Sequence, residues 1–283
     1  MKYNKKNMVF LPMRSLLFIA AFYFCSLITK RDLTEITHWW TIIASAINVV
    51  TIIVLWIIFK QSNTAPPDNG IYKYSMTEFT GGLPLYLYTK SNIQRTKVQR
   101  TKVQRTKVQR TKVLGKLVSG KFLYRLIFTG IMLLIGIAGM YLAGWLCYGK
   151  FPYLAPMMIS PVPPFIAILN IFILPLTTTL AEEGLYLEHG VNSFSSKWAA
   201  VFIPAFFYAL QHSFIPTIFD IKFITYRFLS FLPLTIWICL KYYKGASISY
   251  IMTGHLVLNI ATTIQIVITS FNPEAYARMS GSV

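Results

Sequence analysis

Apolar positions along the chain gather into long unbroken runs rather than into a one-faced or alternating pattern. Seven stand out, near residues 12–29, 39–59, 126–147, 165–190, 197–219, 222–242 and 247–270. Each holds about 18 residues or more, the length at which a helix crosses a bilayer. The pattern predicts an all-α fold, a polytopic transmembrane bundle of about seven helices. The first run follows Lys2, Lys5 and Lys6 but lacks a small-x-small cleavage site, so it reads as an uncleaved anchor.

Between the second and third runs lies a long polar loop, 60–124, that divides the chain. Residues 1–160 form an N-terminal membrane region carrying this loop, and residues 161–270 form the core expected to hold the chemistry, on the last four helices. The loop opens with a turn-rich stretch, Asn63 to Gly70, and contains a short apolar run, Leu85 to Tyr88, expected at the interface. Pro152, Pro156, Pro161, Pro163 and Pro164 mark an irregular connection on the far side of the third run.

Composition agrees. Hydrophobic residues make up 55% of the 283 positions and charged residues 13%, against about 25% charged in a soluble domain. That excludes a soluble enzyme, a coiled coil and a secreted disulfide scaffold. The three cysteines, Cys25, Cys147 and Cys239, each lie inside an apolar run and read as small packing residues.

The net charge of +18 needs dissection. Residues 94–113 read QRTKV four times over; one Arg and one Lys per copy supply +8, leaving +10 elsewhere. A period of five puts successive copies 140° apart on a helix and on alternate faces of a strand, so no basic face forms. The block reads as a solvated insertion touching anionic headgroups, not as a nucleic-acid site. Basic residues collect at the N-terminus, in the 60–124 loop and at Lys241 and Lys244. All fall on one side if the N-terminus is cytoplasmic, and the expected location is a cell membrane.

Ionisable groups inside apolar runs are costly, about 2.5–3.5 kcal/mol each for Asp, Lys and Arg on insertion scales, and functional by default. Glu182 and Glu183 are adjacent in the fourth run, His212 lies in the fifth, and His255 and Asn259 lie one turn apart in the seventh. Measured from the expected cytoplasmic ends at 1.5 Å per residue, Glu182, His255, Asn259 and His212 spread over roughly 10 Å in depth. They are expected to line one mid-membrane cavity opening to the cytoplasm. Helical spacing also places Glu182, Leu185, Tyr186 and His189 on one face.

Such a set permits hydrolysis. A glutamate can take a proton from water, a histidine can share that water or protonate a leaving amine, and an Asn amide with a second histidine can hold an oxyanion. The same residues could instead bind a divalent metal such as zinc, although no HExxH spacing is present.

The segments Glu182-Glu183-Gly184-Leu185-Tyr186-Leu187, Phe207-Tyr208-Ala209-Leu210-Gln211-His212 and His255-Leu256-Val257-Leu258-Asn259 together resemble the motifs of the CAAX protease and bacteriocin-processing (CPBP) intramembrane proteases, which include the type II CAAX prenyl proteases. Those motifs are Glu-Glu-x-x-x-Arg, Phe-x-x-x-His and His-x-x-x-Asn, and the resemblance covers residues 161 to 270. It implies an endopeptidase acting on a lipidated or membrane-associated peptide or protein, within the lipid bilayer. Glu182 would activate water with help from His212, and His255 with Asn259 would support the oxyanion. Glu183 belongs to the same motif.

Two positions depart from the pattern. Tyr208 stands where the family has Phe, adding a hydroxyl. Leu187 stands where the family has Arg, so Glu183 lacks an i,i+4 cation and must be protonated, find another cation or face water. That loss favours the alternative of a non-catalytic immunity or scaffold protein on the same fold. A proton-relay transporter is a third reading, but no inverted repeat is visible. Arg227, in the sixth run, has three readings: it snorkels to the outer headgroups, holds a substrate carboxylate beside the cavity, or pairs with Glu183.

Overall fold

The computed structural model describes residues 9–61, 107–151 and 160–280. Nearly all of them are helical, and no strand occurs among them. In chain order the helices are α1 (Phe10–Thr29), α2 (Leu33–Ile36), α3 (Trp40–Gln61), α4 (Lys107–Tyr148), α5 (Pro164–Glu182), α6 (Lys197–His212), α7 (Ile221–Tyr243), α8 (Ile248–Phe271) and α9 (Pro273–Ser280). A 3₁₀ turn, Thr37–Trp39, joins α2 to α3. A π-helical segment, Glu183–Gly190, continues α5, followed by a 3₁₀ turn, Val191–Ser193.

Among the described residues six stretches are long and apolar enough to cross a membrane, including Phe122–Tyr148 within α4 and Pro164–Ser193 across α5 and its continuation. The described residues therefore form an all-helical, multi-pass membrane architecture. The fifth expected span, 197–219, is shorter: α6 has 16 residues and stops at His212. Pro216 explains the stop, because it has no N–H and disfavours helical geometry at Ile215. The third expected span is longer, since α4 already begins at Lys107, inside the last copies of the repeat. The rest of the repeat, the stretches 63–70 and 81–88, and Pro152 and Pro156 lie outside the described residues.

Helices α5 to α8 form the centre. Helix α6 packs on α7, and α5 on α8; α4 lies across α7 and α8, α3 covers α5, and α1 fits against α6 and α3. Tyr186, Leu187, Tyr208, Ile238 and Ile251 fill one core, and Phe18, Phe22, Ile47, Ala167 and Ile266 a second beneath α1 and α3. Large apolar side chains such as Leu27, Trp56, Leu134, Trp145 and Phe172 face outward, as lipid contact requires.

Helix α4 approaches α7 closely at Gly139, where a Cβ would lie 2.5 Å from the backbone oxygen of Ser230. Without apolar solvent to expel, membrane helices gain most from such close backbone packing of small residues. Gly139→Ala is expected to lower stability by about 1–3 kcal/mol through overpacking. Gly130→Ala, which meets nothing within 4 Å, is the control, expected to be neutral or slightly stabilising. Thermal unfolding in detergent compares them.

Candidate active site

The change from α- to π-helical winding falls between the two glutamates: Glu182 ends α5 and Glu183 opens the wider segment. Single π turns inside α-helices re-aim the side chains around them and recur at functional sites. Both carboxylates are fully buried, and both reach the same imidazole. His255 Nδ1 lies 2.9 and 3.0 Å from the two oxygens of Glu183, while His255 Nε2 lies 3.5 Å from Glu182 Oε2. The ring bridges the pair. The Tyr208 hydroxyl completes the Glu183 side, 3.4 Å from each carboxylate oxygen and 3.2 Å from His255 Nδ1.

Glu183 therefore finds a partner other than the arginine its motif lacks. Position 187 itself faces inward: Leu187 is buried in the apolar core with Leu185 and Val201. The extra hydroxyl of Tyr208, absent from a phenylalanine, supplies one of the contacts.

Glu182 is held differently. Its Oε1 accepts from Arg14 Nη2 at 3.2 Å, an ion pair between α1 and α5 with both side chains almost wholly buried. Arg14 also donates to Asn48 Oδ1 of α3, and Asn48 Nδ2 in turn donates to Thr178 Oγ1 at 2.8 Å and Thr177 Oγ1 at 3.2 Å. One polar network thus ties three helices to the base of the site. Glu182 Oε2 has no hydrogen-bond partner of normal geometry. It faces His255 Nε2 at 3.5 Å and His212 Nε2 at 3.9 Å.

His212 is the last residue of α6, its ring stacked on Phe231 of α7 at 3.8 Å. Arg227 Nε donates to the His212 carbonyl at 3.0 Å, and Nη2 to the Ile215 carbonyl at 2.7 Å, so α7 holds the end of α6 in place. Arg227 is 4% exposed. It neither snorkels outward nor pairs with Glu183. Asn259 Nδ2 donates to Thr179 Oγ1 at 3.3 Å. A cavity of ≈130 Å³ is lined by Glu182, His212, His255 and Asn259 together with Arg14, Tyr208 and Arg227.

Four of the five residues singled out from the sequence thus line one cavity, and Glu183 stands behind it, against His255. The expected face through Leu185, Tyr186 and His189 does not form. Residues 183–190 wind as a π-helix, so the 3.6-residue period fails there. His189 packs against the Phe10 ring, and Tyr186 stacks on Tyr208 and donates to Gln211 Oε1 at 3.1 Å. Sequence reasoning missed Arg14 and Asn48. Their signal is an arginine and an asparagine inside apolar runs.

Among the described residues no group of three or more His, Cys, Asp or Glu side chains is arranged to hold a metal ion. No protein-family model matches the chain, and no curated protein and no solved structure matches it.

Proposed function

We propose that the chain is an intramembrane endopeptidase of the CPBP type, cleaving a peptide bond of a membrane-associated or lipidated substrate. The observation that carries this reading is the free Glu182 Oε2, buried on the cavity wall and faced by the Nε2 atoms of two histidines from two other helices. Separations of 3.5 and 3.9 Å are too long for direct bonds and suit groups that share one water.

In this mechanism Glu182 Oε2 takes a proton from that water as its oxygen attacks the scissile carbonyl carbon. The oxyanion accepts from Asn259, whose Nδ2 has a second N–H beyond the one given to Thr179. Glu182 passes that proton to His212 Nε2, 3.9 Å away, which delivers it to the leaving nitrogen as the oxyanion collapses to the new carboxyl group and the C–N bond breaks, so Glu182 ends ionised again. Glu183 and Tyr208 fix the His255 ring, and Arg14 fixes Glu182 through the oxygen that does not react. The membrane is the cell membrane, with the N-terminus cytoplasmic.

The test is hydrolysis of a library of membrane-anchored and lipidated peptides by the purified protein in detergent. Glu182→Gln is expected to lower kcat by about 10²–10⁴-fold while the protein stays folded. A Glu182→Gln protein with full activity would refute the assignment. A second reading, a non-catalytic immunity or scaffold protein, draws on the Arg14–Glu182 ion pair, which occupies half of the candidate base. It predicts no cleavage of any library member.

A further inference from the structure

Charge on the cavity wall is unbalanced. Among the described residues Glu182 is its only carboxylate, yet two guanidinium groups, Arg14 and Arg227, line it. Arg14 is matched by Glu182. Arg227 has no carboxylate within ion-pair distance among the described residues; its partners are the carbonyls of His212 and Ile215, and its Nη1 is buried with no partner. Arg14 Nε and Nη1 are likewise buried without partners. A buried guanidinium with carbonyl partners alone keeps much of its desolvation penalty, and an anion would remove it.

The remaining wall says what kind of anion. Phe18, Trp40, Leu174, Phe231 and Leu258 make it largely apolar, and the Arg227 guanidinium lies 5.1 Å from the Phe231 ring centre. An inorganic ion would be stranded among these side chains, whereas an apolar chain ending in a carboxylate would be matched at both ends. We infer that the cavity binds a carboxylate carried on an apolar chain, with Arg227 as its anchor. The two available sources are a fatty acid from the bilayer and the free C-terminus of an apolar peptide. The inference does not rest on the peptidase reading, since binding alone establishes it.

The experiment measures binding to the full-length protein in nanodiscs by calorimetry, with two matched pairs: octanoate against octanol, and N-acetyl-Leu-Leu against its C-terminal amide. In at least one pair the acid is expected to bind about tenfold or more tightly than its neutral partner, the effect of one charge-assisted hydrogen bond in a buried site. The responding pair identifies the source. Arg227→Met is expected to erase the preference, and Arg227→Lys to retain part of it. Equal binding of acid and neutral partner in both pairs, or no binding, overturns the inference, as does an Arg227→Met protein that keeps the preference. Should Arg227→Met fail to fold, the wild-type pairs and Arg227→Lys decide: a folded Arg227→Lys that binds acid and neutral partner alike also overturns it.

Discussion

Arg14→Met is expected to lose about 3–5 kcal/mol of stability, the usual consequence of removing one partner from a buried ion pair. The substitution keeps roughly the apolar length of the side chain, so a packing defect is a small part of the effect. What remains is a Glu182 carboxylate with no cation on Oε1, and an Asn48 carbonyl oxygen with no donor. The companion variant separates charge from shape. In Arg14→Met/Glu182→Gln neither charge is present, and much of the loss should be regained, because replacing both members of a buried pair is often neutral. Unfolding of the wild type, Arg14→Met, Glu182→Gln and the double variant in detergent, read as a double-mutant cycle, makes the comparison. Additive losses in the double variant would show that the two side chains do not act as a pair.

His255→Ala should have the largest effect on catalysis of any single change outside Glu182. It removes the one ring that touches both carboxylates, leaving Glu183 with only the long contacts to Tyr208 and Glu182 Oε2 without its nearer imidazole. A fall in kcat of about 10²–10⁴-fold is expected, with KM changed little. Asn259→Ala is expected to cost no more than about 10²–10³-fold, the range for a single oxyanion donor. If the two variants fall equally, His255 and Asn259 serve the same step. If His255→Ala is harmless, the bridging ring is structural only. Peptide-cleavage kinetics on detergent-purified variants give both numbers.

Much of this was legible in the residue pattern, and the failures have physical causes. The ends of α1, α3, α7 and α8 follow their apolar runs to within two residues, because in a bilayer the hydrophobic run and the helix are set by the same boundary. Helix α6 was overextended, since hydropathy continues through Phe214, Ile215 and Phe219 while the backbone turns before Pro216. The start of α4 was missed for the opposite reason: residues from Lys107 onward are helical but polar, so nothing in their hydropathy marks them. Short α2 and α9 leave no such signal either.

The grouping of Glu182, His212, His255 and Asn259 was readable because polar residues on core membrane helices must turn toward one another. The counter-ion was not. Charge balance at Glu182 depends on a residue 168 positions earlier, and periodicity within a single run carries no information about so distant a partner. The i,i+4 rule concerned Glu183 and position 187 on the same helix, and there the partner is His255 of α8. The cation of Glu182 comes from α1.

That separation has a consequence for how the protein is made. Helices α1 and α3 leave the ribosome before α5, and at about 5–20 residues per second Glu182 follows Arg14 by on the order of 10–30 seconds. Over this interval a guanidinium enters the bilayer before its carboxylate exists. Asn48, only 34 positions downstream of Arg14, is the partner that arrives early. It can hold the guanidinium while the rest of the chain is synthesised, and then remain as the second ligand of a finished ion pair.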